Sequence, residues 1–325
     1  FGLIPGRCAP DFHLPFTGAG RLHLVMPSLP ASAGALFSGC TGQKSGAAGG
    51  ETSLLRVVPQ DRLFVSEPPP QWFGNDPNAQ PGTSEAAGWT NGNWLKSRFH
   101  FSFAEYRDGP PSFGVLRVMN DDLVQPARGF GTHPHHDMEI ITFVVDGRLT
   151  HKDSRGNEET LGRGSVQFMT AGTGIRHSEH NLDQRQHLRF IQSWILPRRS
   201  GLTPNYGSMV GDAVAAEARR NKWAHIVGDV ASQSTAPVLI NQDCNVFAIE
   251  LRPDGVAPPL ELGPQRQAYM LCVEGSVVTA SGASLTRHDA AELKGPMMLE
   301  LTSQGQGSLL LVFEMAKTRD GHSDV

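Results

Sequence analysis

The chain has 325 residues, with 28 Lys and Arg against 32 Asp and Glu, a net charge of −4 and a pI of about 6.4. Its hydrophobic content of 39% can build one large β fold or two medium domains, which excludes a highly charged disordered protein. The lack of a basic excess argues against nucleic-acid binding through bulk charge, and no stretch approaches the roughly 18 apolar residues of a membrane-spanning helix.

The N-terminal segment differs from the rest of the chain. Residues 1–50 are rich in Ala, Gly, Ser, Leu and Pro and carry three basic residues against a single acid. This composition is typical of organelle transit peptides, and an ordinary disordered extension is the alternative. We therefore predict a disordered or targeting extension over 1–55. The protein is then cytoplasmic or, if the segment is a transit peptide, located in an organelle such as the plastid.

The scattered cysteines favour a reducing compartment. They form no Cys-x-x-Cys pair, and in a chain of this length they are typical of reduced thiols and not of a disulfide framework. The four positions are Cys8, Cys40, Cys244 and Cys272.

Short β-type runs follow one another in two series, separated by Gly-rich and Pro-rich turns. The first series covers 113–119, 139–145, 165–170 and 188–196. The second covers 245–251, 267–275, 276–280, 295–301 and 308–315. Between the two series, 209–220 predicts the one convincing helix. Closely spaced strands with tight turns predict an all-β protein built from sandwiches or barrels.

The two series look like copies of one β unit. FVVDGRL (143–149) aligns with LCVEGSV (271–277), which places Gly147 over Gly275. A repeated unit of this kind predicts two similar barrels in tandem. We expect a first domain over 56–205, a linker with the helix over 206–225, and a second domain over 226–325.

Two histidine-rich segments carry the chemical signal of the chain. In GTHPHHDMEIITFVVDG, alternation along a regular strand puts His133, His135 and Glu139 on one face and turns His136 away. In TAGTGIRHSEHN, His177 and Glu179 again share a face. Two neighbouring strands that each present such a pair can converge on one metal ion, and imidazole with carboxylate suits Fe, Mn, Ni, Cu or Zn.

The alternatives to a catalytic metal site are structural. A single histidine is usually a satisfied polar residue or a surface group, and the chain has 13 of them. A closed structural zinc site is the intermediate interpretation, but such sites usually use thiolates and no cysteine lies near these segments. Paired His-x-His and His-x-Glu on adjacent β segments favour an open metal site over both.

These segments resemble the signature of the pirin family. The resemblance extends to WLKSRFHFSFAEY (94–106) and FGVLRVMNDDLVQPARGFGTHPH (113–135), is strong over 60–200 and weaker to about 315. It is closest to the bacterial-type branch, some members of which show quercetin 2,3-dioxygenase activity. The resemblance implies a bicupin, two cupin (double-stranded β-helix, or jelly-roll) barrels in tandem, with one mononuclear divalent metal in the first barrel, most often Fe(II).

The family's ligand positions fall on His133, His135, His177 and Glu179 of this chain. The resemblance implies that Glu139 lies near the metal without binding it. His136 stands where the family often has Arg. In the second half, the repeat places Glu261, Gly263 and Gln267 at the positions of His133, His135 and Glu139, so we expect a metal-free second barrel.

Two functions follow from these expectations. The favoured one is a dioxygenase that acts on a small aromatic, quercetin-like substrate with O2, with Glu179 as metal ligand and general base. The alternative is a redox-sensing regulatory protein that binds a protein partner without turnover. Neither involves direct nucleic-acid binding or a membrane.

Overall fold

The protein is described here from a computed structural model that covers residues 54–77, 90 and 92–317. All but the last two positions of the predicted extension over 1–55 lie outside these described residues, as do Cys8 and Cys40. The two cysteines inside them, Cys244 and Cys272, are buried free thiols. Among the described residues, no helix is long and apolar enough to cross a membrane.

Strands dominate the described part of the chain, as the turn-rich composition predicts. The first half contains β1 (Leu55–Val58), β2 (Phe64–Ser66), β3 (Leu95–Phe99), β4 (Leu116–Val124), β5 (Gly129–His135), β6 (Glu139–Asp146), β7 (Leu149–Asp153), β8 (Glu158–Leu161), β9 (Val166–Thr170), β10 (Ile175–His180), β11 (Leu188–Ile195) and β12 (Asn205–Met209). The second half contains helix α1 (Ala213–Arg219), β13 (Ala224–Asp229), β14 (Val238–Ile240), β15 (Cys244–Leu251), β16 (Leu260–Leu262), β17 (Arg266–Thr279), β18 (Ser284–Thr286), β19 (Ala290–Lys294), β20 (Met297–Leu299) and β21 (Leu301–Ala316).

Each half forms a cupin barrel from a large and a small sheet, which confirms the predicted fold class. In the first half, seven strands in the order β12-β9-β6-β11-β4-β3-β2 face four strands in the order β5-β10-β7-β8. In the second half, the large sheet follows the order β1-β19-β17-β21-β15-β13-β14, with β18 paired to β17, and the small sheet is β16-β20.

Two strands cross the domain limits expected from the sequence. Strand β1 begins the predicted first domain but pairs antiparallel with β19 in the second barrel. Strand β12 lies in the predicted linker but pairs with β9 in the first barrel. The limits 56–205, 206–225 and 226–325 stay predictions; β1 joins the second barrel, and β12 extends the first barrel into the predicted linker.

The helix is shorter than predicted. It begins at Ala213 and not at position 209, because Met209 still pairs with Val166 as the last residue of β12. Asp212 is the N-cap, and its side chain accepts a hydrogen bond from the backbone N–H of Ala215 at 2.9 Å. An N-cap residue of this kind satisfies one of the free N–H groups at the start of a helix and so fixes its first turn.

The two large sheets pack face to face, and the core between them is the largest in the molecule's described part. Alternate residues of β6 and β17, such as Phe143 and Leu271, meet there. A buried ion pair of the first barrel lies at this contact: Arg189 donates to Asp121 at 2.8 and 2.7 Å, and His288 from the second barrel lies 2.6 Å from the same carboxylate. Burial by itself raises the pKa of Asp121, but Arg189 and His288 together outweigh it and hold that pKa well below its usual range.

Candidate metal centre

The candidate centre lies where β5 and β10 pair in the small sheet of the first barrel. The antiparallel register sets His177 opposite His133, and Ile175 opposite His135. Because His133 and His135 are two apart on one strand, both rings leave the sheet on the side where His177 points. The predicted pairing of the His-x-His and His-x-Glu segments is therefore what brings the histidines together.

Three imidazoles form a compact group. The nitrogen atoms of His133, His135 and His177 that could bind a metal lie within 4.8 Å of one another, and their ring centroids are 4.5 to 4.8 Å apart. Among the described residues, this is the one group of three or more possible ligands so arranged. Three neutral imidazoles on one side of a site suit a first-row transition metal and leave positions open for other ligands.

The hydrogen bonds of two of these rings leave lone pairs for an ion. His133 Nδ1 lies 2.8 Å from the Gly131 carbonyl oxygen, which only accepts, so Nδ1 carries the proton and Nε2 the lone pair. His177 Nε2 is buried and has no hydrogen-bond partner. A buried nitrogen without a partner costs free energy unless an ion satisfies it, and the residues present thus fit a metal ion.

Electrostatics keeps the three rings neutral. Burial is the main cause that lowers the pKa of His133, His135 and His177, and the neighbouring imidazoles lower the last two further. Metal binding requires deprotonated imidazole, so a ring that is already neutral gives up no proton when an ion arrives.

Glu179, the fourth predicted ligand, is buried in the barrel but is not part of the compact group. Its carboxylate accepts hydrogen bonds from Gln167 Nε2 at 2.8 Å and from Gln192 Nε2 at 2.9 Å. Burial raises the pKa of Glu179 to about 7, although both amides favour the charged form. The structure therefore holds Glu179 between two glutamines, and its role as a metal ligand stays a prediction.

The expectation that Glu139 shares a face with His133 and His135 is wrong. Strand β5 ends at His135, Asp137 adopts a left-handed φ of 48°, and β6 begins at Glu139 in the other sheet of the barrel. Aspartate tolerates this conformation, and the turn breaks the alternation on which the expectation rested. Glu139 instead accepts hydrogen bonds from Thr170 Oγ1 at 2.8 Å and Asn241 Nδ2 at 3.1 Å, between the two barrels.

A cleft opens beside the histidines. It has a volume of about 490 Å³ and lies between the end of β5 and the loop that leads into β10. His135 lines the cleft, and so do the exposed residues His136 and Arg176. His136 lies outside the compact group, as strand alternation predicts, and 41% of its side chain is exposed.

Sequence reasoning missed five residues around the centre. Trp194 packs edge to face against His135 with ring centroids 4.8 Å apart, and Gln167 and Gln192 hold Glu179. His151 and Asp153 lie behind His177 and are both buried. The last two are also spaced two apart on a β segment, so the signal that identified His133 and His135 could have found them.

The second barrel differs at the corresponding positions. Gln267 donates its side-chain N–H to the Ala316 carbonyl at 3.1 Å, Glu261 is exposed on β16, and Gly263 offers no side chain. That this barrel binds no metal stays a prediction.

Comparisons with known proteins agree with this architecture. The family profile described as Pirin matches residues 82–195, and the profile described as Quercetinase C-terminal cupin domain matches 230–315. The chain is 35% identical over 225 residues to quercetin 2,3-dioxygenase of Escherichia coli, covering 69% of this chain and 93% of that protein. It is 38% identical over 229 residues to a pirin-like protein of Caulobacter vibrioides, covering 69% and 94%.

A similar structure has been solved with a metal bound. The bacterial pirin YhhW from Escherichia coli in complex with nickel(II) superposes with a TM-score of 0.66 and 28% identity, covering 81% of this chain and 100% of that one. The relatives named here are bacterial proteins, so they give no support to a plastid location.

Proposed function

Because this chain belongs to the pirin family, we propose that it is a metal-dependent dioxygenase that acts on quercetin-like flavonols with O2. The observation that carries the proposal is the compact group of His133, His135 and His177, with the unpartnered Nε2 of His177, beside an open cleft. The relative from Escherichia coli that bears the name quercetin 2,3-dioxygenase supports the substrate class.

The three histidines would hold one divalent ion, with Glu179 as the fourth ligand. Fe(II) is the ion that we propose, and Mn, Ni, Cu and Zn are compatible with the same donor set. When bound, Fe(II) would supply Lewis-acid and redox chemistry toward O2. The β5–β10 register, which brings the three rings together, supports this position for the ion.

We propose Glu179 as the general base that takes a proton from a flavonol hydroxyl group and returns it. In the protein without metal, burial raises the pKa of this carboxyl group to about 7. The two glutamine amides fix its orientation while it does so. General bases work best when their pKa lies close to the pH at which they act.

The cleft would receive the aromatic substrate. Its volume of about 490 Å³ lies within the range of about 300–1,000 Å³ that is usual for small-molecule sites. Arg176 and His136 at its edge offer hydrogen-bond donors to the hydroxyl groups of a polyphenol. The buried free thiols Cys244 and Cys272 suit a reducing compartment such as the cytoplasm, which is the location that we propose.

The test compares iron-loaded protein with quercetin in the presence and absence of oxygen. We expect loss of flavonol absorbance and uptake of O2 in the aerobic sample alone. His177→Ala should abolish the reaction together with metal binding, whereas His136→Ala should keep the bound metal and lose only one contact to the substrate. Absorbance loss without oxygen, or none with it, would refute the proposed activity. In the second case the regulatory alternative, binding of a protein partner without turnover, would replace it.

A further inference from the structure

Beside the metal centre, three buried side chains form a hydrogen-bond chain that runs from His177 through His151 to Asp153. His177 Nδ1 lies 3.4 Å from His151 Nδ1, and His151 Nε2 lies 3.3 Å from Asp153 Oδ2. The side chains of His151 and Asp153 are 1% and 0% exposed. Water does not compete for these contacts, so their donor and acceptor roles are fixed by one another.

Asp153, at the far end of this hydrogen-bond chain, is held by a turn. Asp153 Oδ1 accepts hydrogen bonds from the backbone N–H groups of Arg155 at 2.9 Å and Asn157 at 3.1 Å, and Oδ2 accepts from Asn157 Nδ2 at 2.8 Å. Three N–H donors at one carboxylate group favour its ionised form. An ionised carboxylate has no proton to donate, so it can only accept from His151 Nε2.

The roles of the other atoms follow in order. A neutral imidazole has one donor and one acceptor nitrogen, so the proton on His151 Nε2 leaves a lone pair on its Nδ1. That lone pair accepts the proton of His177 Nδ1, and the free lone pair of His177 is then on Nε2. This is the buried nitrogen that has no partner within the protein.

A second contact holds the His151 ring in place. It stacks on Tyr206 of β12 with ring centroids 4.3 Å apart and an interplanar angle of 16°. The Tyr206 hydroxyl donates to Glu159 Oε2 at 3.0 Å and lies 3.5 Å from Gln167 Oε1, and it makes no hydrogen bond to His151. Tyr206 therefore contributes to packing, while the hydrogen-bond chain runs only through His151 and Asp153.

We propose that His151 and Asp153 are positioning residues that fix the tautomer of His177, so that its Nε2 lone pair points to the metal site before any ion binds. The inference rests on the proposed metal-dependent function, but it concerns the protein's own hydrogen bonds. Outer partners of metal-binding histidines typically change metal affinity by about 10- to 100-fold when they are removed.

The first part of the test uses the full-length protein without metal. Nitrogen-15 chemical shifts of the histidine rings should show His177 with its proton on Nδ1 in the wild type and a mixture of both tautomers in His151→Phe. Asp153→Asn should move the proton of His177 to Nε2, because its amide can donate to His151 and reverse the chain. A wild-type His177 protonated on Nε2 would overturn the proposal.

The second part measures Ni(II) affinity by competition with a chelator at constant pH. His151→Phe keeps the ring that stacks on Tyr206 and should lower the affinity about 10- to 100-fold. His151→Asn restores an acceptor oxygen near the place of Nδ1 and should recover most of the loss. Tyr206→Phe is the matched control, since it keeps the stacking and removes only the hydroxyl group.

Two results of the affinity test would contradict the inference. If Tyr206→Phe lost as much affinity as His151→Phe, the loss would not be specific to the His151–Asp153 chain. If His151→Phe bound Ni(II) like the wild type, the chain would have no influence on the site. Neither measurement uses quercetin, so a failure of the proposed dioxygenase activity would be seen separately.

Discussion

In each barrel, three residues at paired positions of neighbouring strands form a row in the interior. This row is polar in the first barrel and apolar in the second. In the first barrel, Gln167, Thr142 and Gln192 lie side by side on β9, β6 and β11. In the second barrel, the corresponding row on β19, β17 and β21 is Ala291, Met270 and Val312. The aligned repeat, with Gly147 over Gly275, places Thr142 over Met270, so the two rows occupy equivalent positions in the two copies.

The polar row therefore serves the candidate site, and the apolar row serves the stability of the fold. The polar row of the first barrel binds the buried carboxylate of Glu179, which would otherwise lack partners. The apolar row of the second barrel belongs to a core of Leu, Ile, Val, Ala and Met side chains. The first barrel therefore has less hydrophobic packing around the candidate metal centre, whereas the second barrel has an apolar interior.

The largest effect is expected when the second barrel is removed. A chain that ends at Arg220 keeps His133, His135, His177 and Glu179 but exposes the large sheet that packs between the barrels. Exposed apolar surface of this size leads to association. We expect aggregation or loss of metal, measured by size-exclusion chromatography and elemental analysis. A soluble, monomeric and fully metal-loaded product would show that the first barrel folds by itself.

Metal binding should be confined to the first barrel. We expect close to one ion per full-length chain, because Glu261, Gly263 and Gln267 offer no histidine pair in the second. His133→Ala, His135→Ala and His177→Ala should each lose most of the bound metal, whereas His136→Ala should stay near wild type. Elemental analysis of protein purified without added metal gives the ratio, and a value near two would refute the single site.

Shortening the apolar row should lower stability without affecting the centre. Met270 is fully buried, and Met270→Ala should reduce the free energy of unfolding by about 2–5 kcal/mol through lost burial and a cavity. Denaturant titration measures the stability, and the Ni(II) affinity of the same variant should equal that of the wild type.

The matched change in the polar row is Gln192→Leu, which removes one donor from Glu179. This variant should lower the free energy of unfolding by about 1–3 kcal/mol, because a buried carboxylate oxygen is left without a partner. Its distinguishing effect should be on turnover of quercetin. Should Met270→Ala change the metal affinity and Gln192→Leu leave turnover unchanged, the two rows would not have the separate tasks described above.

A different kind of effect, acid sensitivity, is expected at the contact between the barrels. His100 is buried with Nδ1 2.9 Å from the Tyr269 hydroxyl, and burial lowers its pKa to about 4. In the unfolded chain this histidine has a pKa of about 6.5. Between about pH 6.5 and pH 4 the unfolded chain therefore binds more protons than the folded protein. The contribution of neutral His100 to stability is complete above about pH 6.5 and is lost as the pH falls toward 4. The slope is about 1.4 kcal/mol per pH unit for one histidine.

His100→Asn keeps a polar atom near the place of Nδ1 and should flatten this part of the stability curve. Asp121, His288 and Arg98 also act on His100 and stay in place in this variant. Comparison of the two slopes from denaturant titrations between pH 4 and 7 isolates the contribution of one ring. Equal slopes would mean that His100 has the same pKa in the folded and the unfolded state.

The sequence predicted the centre better than its surroundings, for a physical reason. His133, His135 and His177 follow from side-chain alternation within single strands, which local sequence determines. Glu139 was misplaced because one aspartate in a left-handed turn moves the chain to the other sheet. The pairing of β1 with β19 joins positions more than 200 residues apart, and no local pattern in LRVV specifies that partner.

The pairing of β1 with β19 of the second barrel sets an order of events during protein synthesis. Leu55 pairs with Leu293, so the strand that leaves the ribosome early has its partner made 238 residues later. At about 5–20 residues per second, this delay is roughly 12–48 s. During that time β1 has an unpaired edge, which is a site of unwanted pairing with other chains. Its brevity, four residues with the basic Arg56 among them, is the kind of protection that such an edge requires.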